Sequence, residues 1–182
     1  MSIEKWSVFG PLALIVLFLF TGLSIIFSPW FRLETNALSD LGNPSNGYGA
    51  ILFNSGVEVS GIMLLLYSLK SLKNQAEKTS YGLALTSFFL VFVGMFDESY
   101  GHIHTAVSSI MFASLLFSSI LYFAEKKSRL AMVSAFSMVS FAAYFLGYVG
   151  AAIPEAVSWV TASLWVVSSA SPFLYRKTNN YL

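Results

Sequence analysis

Polar punctuation cuts the chain into six apolar stretches, at Val8–Ser28, Tyr48–Leu69, Ser80–Phe96, His104–Phe123, Leu130–Val149 and Ala156–Phe173. Crossing about 30 Å of hydrocarbon takes roughly 17–25 residues at about 1.5 Å each. All six stretches qualify, the third being the shortest. Neither "VLFLFTGLSIIF" nor "IMFASLLFSSILYF" alternates, which argues against a small β-barrel and for helices. The expected fold class is all-α: a single domain, residues 1–182, built as a polytopic integral membrane bundle of six transmembrane helices. The first stretch lacks a small-residue cleavage motif and is long enough to span. It is therefore expected to be a retained helix and not a signal peptide.

Composition narrows the class further. The chain is 56% hydrophobic and 10% charged, against about 25% charged in a soluble domain. Its mean hydropathy is +0.70. So short a soluble chain cannot hide that much apolar surface. A soluble enzyme, a disordered chain and a nucleic-acid partner are excluded, and membrane lipid is the expected surrounding. The chain has no cysteine, so thiolate and disulfide chemistry are excluded too.

Charge then orients the bundle. Lys5, Lys70, Lys73, Lys78, Lys126, Lys127, Arg129, Arg176 and Lys177 fall at the two termini and in the second and fourth connections. Only Arg32 falls on the other side. The positive-inside rule predicts both termini in the cytoplasm of a cell-membrane, multi-pass protein. The opposite side gathers Glu34, Asp40, Asp97, Glu98, Glu155 and both histidines.

Three segments carry candidate chemistry. Glu58 is the one ionisable residue well inside a span, about 15 Å from its outer end. Asn54 lies one turn above it on the same face. A charge at that depth is costly, so Glu58 is expected to face the bundle interior or to be protonated. It reads equally as a proton or ligand site and as a carboxyl group bonded across a helix interface. The second segment, "FDESYGHIHTAVSS", holds Asp97, Glu98, His102 and His104. Two imidazoles and two carboxylates are zinc or iron ligand types, with His102, His104, Asp97 and Asp40 as the set. The same residues also suit a metal-free pair of histidine and carboxylate, or a polar interface that ends two spans. His104 and Ser108 share a helix face. The third segment, "ETNALSDLGNPSNG", belongs to a long first outer connection of dense turn signals. Its Asp40 is the member expected to reach the histidine-bearing helix end.

The stretches "FSPWFRLETNALSDLG", "ILFNSGVEVSG" and "GMFDESYGHIHTAVSSIMF" carry a resemblance. They are similar to the domain-of-unknown-function 998 family of predicted prokaryotic integral membrane proteins. The matching positions are Asn36, Ser39, Asp40, Leu41 and Gly42, then Phe53, Asn54 and Gly56, then Gly94, Phe96 and a histidine, either His104, from which the span continues, or His102. Asp97 stands where the family pattern has a proline. The resemblance implies a membrane protein and points at the same polar positions, but it implies no activity.

The expected function is an outward-side polar site binding a small lipid or amphiphile, formed by Asp40, Asn54, Glu58, Asp97, Glu98, His102 and His104. One alternative is an intramembrane metal-dependent hydrolase of a lipid amide or ester, with a divalent metal as its cofactor. The other is a structural or assembly subunit. No organic cofactor is expected.

Overall fold

The structure, a computed structural model, describes residues 3–175. The basic residues Arg176 and Lys177 lie outside them. The helices are α1 (Ile3–Ser7), α2 (Phe9–Ile26), α3 (Tyr48–Lys70), α4 (Glu77–Met95), α5 (His102–Lys126), α6 (Arg129–Ser137), α7 (Ser140–Phe145) and α8 (Ala152–Tyr175). Among the described residues four segments are long and apolar enough to cross a membrane: Lys5–Ile26, Tyr48–Asn74, Glu77–Met95 and His102–Lys126. Residues Arg129–Phe145 form a shorter apolar segment. Ile26, Phe117 and Phe136 point large side chains outward, as lipid-facing residues do.

The fifth predicted span is not one helix. At the break, serine hydroxyls occupy the carbonyls that the amides four residues on have left. Ser137 Oγ donates to Ser134 O at 2.7 Å, and Ser140 Oγ donates to Ser137 O at 2.5 Å. The amides four residues on turn one position back: Met138 N donates to Ala135 O and Phe141 N to Met138 O. The ladder tightens there, and α6 gives way to α7.

Other boundaries have local causes. Gly101, at φ 53°, leads into α5. Lys127, at φ 56°, closes α5 in the left-handed conformation with its N–H on Phe123 O. Ser128 caps α6 by accepting from Ala131 N at 3.4 Å.

Consecutive long helices pack side by side: α2 on α3, α3 on α4, α4 on α5. α6 fills the space between α5 and α8, and α8 returns to α1 and α2. Between helices in lipid the driving force is close packing and hydrogen bonding, because tails are as apolar as the side chains. α3 and α4 show the packing directly. A Cβ on Gly61 would stand 2.9 Å from both Ser87 O and Val91 N. A Cβ on Gly94 would stand 2.9 Å from Asn54 O. The bonds are mostly hydroxyl pairs: Tyr67 Oη with Ser169 Oγ at 2.6 Å, Ser119 with Ser134 at 3.0 Å, and Thr161 to Ser137 at 2.9 Å. Each is worth about 0.6 kcal/mol. Trp165 is fully buried and stacks on Tyr122 at 4.9 Å.

The antiparallel order sorts the connections. Those of residues 27–47, 96–101 and 146–151 meet at one end, here called the loop end. Residues 71–76 and 127–128 lie at the other, basic end.

Candidate functional site

The long first connection is a folded lid. Asn36 Oδ1 accepts from Arg32 N at 2.9 Å, and Asn36 Nδ2 donates to Asp40 Oδ2 at 3.0 Å. The same Asp40 oxygen accepts from Ala37 N at 2.9 Å, which caps the 3-10 turn Leu38–Gly42. Leu38 and Leu41 from this turn insert into the core. Arg32 turns its guanidinium onto the carbonyls of Pro29 and Phe31, both at 3.2 Å.

Distant parts of the chain hold the lid down. Asn54 Nδ2 donates to Gly42 O at 2.9 Å. Gly150 N donates to Glu34 O at 2.6 Å, and Ala152 N donates to Asn36 O at 2.8 Å. Glu155, in the first turn of α8 and only 9% exposed, accepts from Leu38 N at 2.6 Å. The sequence marks Glu155 only as one of the acidic residues on the side opposite the basic ones. Its partner lies 117 residues away, and no local pattern announces it.

The second cluster divides. Asp97 Oδ1 accepts from Ser99 N at 2.9 Å and from Ser99 Oγ at 2.6 Å, so this carboxylate is used in a local turn. Glu98 reaches Asp40 and hydrogen-bonds with it. His102 is exposed at the start of α5. His104 is 7% exposed, with Nδ1 2.7 Å from Phe96 O and Nε2 3.2 Å from Ser108 Oγ. A carbonyl can only accept, so Nδ1 carries the proton and Nε2 accepts from Ser108. The two histidines therefore do not converge. Among the described residues no three His, Cys, Asp or Glu side chains gather to hold a metal ion. Glu58 is half-buried on α3 against Gly94 of α4. It lines neither of the two cavities described next.

Glu98, His104, Ser108 and Glu155 open on one groove of about 570 Å³, with Ser39 of the lid at its edge. Its apolar lining is Phe112, one turn beyond Ser108 on the same α5 face, with Phe141 and Phe145 of α7; Phe112 and Phe141 meet edge to face at 4.9 Å. Glu98 also lines a smaller cavity of about 340 Å³ with Trp30, Asp40 and Asn46. The Asp40–Glu98 pair thus stands between two cavities.

That pairing changes the acidity of Glu98. Partial burial, then the hydrogen bond and negative charge of Asp40, push its carboxyl up to about 7, while the Asn43 side chain opposes the shift. The folded protein thus holds a proton that the unfolded chain has released between about pH 4.5 and 7. Stability must fall as pH rises through that window. The thermal midpoint in detergent should be higher at pH 5.5 than at pH 8, and Glu98→Gln should flatten the slope. An equally steep slope in the variant would remove the pair as its source.

A family model described as "Protein of unknown function (DUF998)" matches residues 11–171. No curated protein and no solved structure matches the chain.

Proposed function

The chain belongs to the DUF998 family of proteins of unknown function, and on that premise we propose that it is a membrane protein that binds a small amphiphile in the groove at its loop end. The loop end faces outward in this reading. Six apolar segments cross the membrane, α6 and α7 together making one crossing, and both termini lie in the cytoplasm with the basic residues.

One observation carries the reading: a single groove is lined both by carboxyl, imidazole and hydroxyl groups and by Phe112, Phe141 and Phe145. Its volume of about 570 Å³ falls within the 300–1,000 Å³ typical of small-molecule sites. An apolar chain lies along Phe112, Phe141 and Phe145, and the polar head meets Glu98, Ser108 and the Ser39 end of the lid. Asp40 and Asn54 act on the site through the lid they hold.

The test is photo-crosslinking in detergent with a single-chain amphiphile bearing a diazirine on its tail. The expected adducts fall on α5 or α7. Thr105→Trp, which fills the groove from an exposed position of α5, should lower the yield about tenfold, equivalent to roughly 1.4 kcal/mol of affinity. Adducts spread evenly over the outer helix faces, and unchanged by the tryptophan, would favour a purely structural subunit.

A further inference from the structure

We infer that Ser108 is a nucleophile and His104 its general base, so that the groove accepts single-chain amphiphiles joined by an ester and transfers their acyl group to Ser108. The inference rests on the amphiphile-binding reading of the groove and names its substrate class.

Three of the five serine hydroxyls of α5 behave alike. Ser114, Ser118 and Ser119 each donate to a carbonyl three or four residues back, at 2.8, 2.6 and 3.0 Å. That is the usual resting place of a hydroxyl in a helix without water. Ser108 instead directs its Oγ to His104 Nε2, 3.2 Å away. The distance is at the outer limit for a nucleophile and base at rest, where such bonds are commonly loose. The imidazole is held from behind. It is buried, and Nδ1–H is committed to Phe96 O at 2.7 Å. That bond fixes the tautomer in which Nε2 has its lone pair free to take a proton. Nucleophile, base and an orienting acceptor behind the base therefore stand in line. The first two line the groove together with the phenylalanines along which a hydrocarbon chain would lie.

The step balances as follows. Ser108 Oγ attacks the ester carbonyl carbon and its proton passes to His104 Nε2. The carbon–oxygen bond to the alcohol breaks, and the alcohol leaves with that proton. Water then attacks the acyl-serine, gives a proton to Nε2, and releases the carboxylic acid as Ser108 recovers its proton. Phe96 O, unlike a carboxylate, carries no full charge, so acylation is expected to be slow. Covalent labelling is a better readout than turnover.

The test uses the full chain in detergent and a long-chain alkyl fluorophosphonate. Attack of Oγ on phosphorus expels fluoride and leaves a stable adduct. Intact mass should show one adduct, mapped to Ser108 by peptide sequencing. Ser108→Ala should abolish it, and His104→Gln should slow labelling about 100-fold. Ser108→Cys should restore a covalent adduct with an alkyl iodoacetamide whose rate also depends on His104. That arm covers the case in which His104→Gln alone disturbs folding. The diazirine amphiphile is run in parallel on the unsubstituted chain. Crosslinking without any fluorophosphonate adduct would overturn the nucleophile and leave the binding site standing. Labelling of Ser108 that is indifferent to His104 would overturn the base. Loss of both signals in the unsubstituted chain would overturn the groove reading itself.

Discussion

Gly61→Leu is expected to prevent the bundle from assembling. A Cβ at this position would lie 2.7 Å from Val91 Cγ2 and 2.9 Å from both Ser87 O and Val91 N. Two of those three atoms are backbone and cannot swing away. α4 must then retreat from α3 along the contact that also seats Gly94 on Asn54. Overpacking of a well-packed core costs about 1–3 kcal/mol, and a clash against main chain lies at or above the top of that range. The loss should appear as a collapsed thermal midpoint and an aggregated profile on size exclusion. Gly22→Leu is the control, because a Cβ there would meet nothing within 4 Å. Its effect should stay within about 0.5 kcal/mol. Equal behaviour of the two variants would disprove the close α3–α4 approach.

The second large effect is expected at Glu155. Glu155→Ala removes the acceptor of the buried Leu38 N–H and leaves that donor without a partner. Such an orphan costs about 1–3 kcal/mol. Here the cost falls on the lid, which should open more often while the helices stay packed. Arg32 lies in that connection, on its own among basic residues there, and gives trypsin a specific reporter. Cleavage after Arg32 should accelerate about tenfold in the alanine variant, the equivalent of roughly 1.4 kcal/mol of local opening. Glu155→Gln keeps a carbonyl oxygen for Leu38 and should cleave at close to the original rate. Equal cleavage in all three proteins would mean that Glu155 does not hold the lid.

The helices were legible in the sequence because their signal is local. Uninterrupted runs such as "VLFLFTGLSIIF" have one reading in lipid, and polar punctuation, lysines among it, separates them. The break after Ser137 was hidden for a physical reason. Hydropathy scores a serine as mildly polar and does not register which carbonyl its hydroxyl takes. At the loop end, Asp40 and Glu98 were legible as candidates because both sit beside turn signals. What each carboxylate binds was not. Asp97 and Glu98 are neighbours in sequence, yet one closes a turn on Ser99 and the other reaches Asp40. The same holds for the histidines. The i, i+4 spacing of His104 and Ser108 was visible, but Phe96 O, which selects the tautomer, is a backbone atom without any sequence signature.

Arg32 has a consequence for the traffic of ions. Its guanidinium is engaged with the carbonyls of Pro29 and Phe31. It is the only lysine or arginine at an end that also carries Glu34, Asp40, Asp97 and Glu98. Once Glu98 is ionised, above about pH 7, the mouth of the groove projects a negative potential that fades over about 8 Å at physiological ionic strength. Fatty acids and phosphate-headed amphiphiles approach against that field, and their association should quicken as salt is added. Neutral and zwitterionic molecules cross it without a comparable barrier, so sign of charge sorts the visitors before shape does.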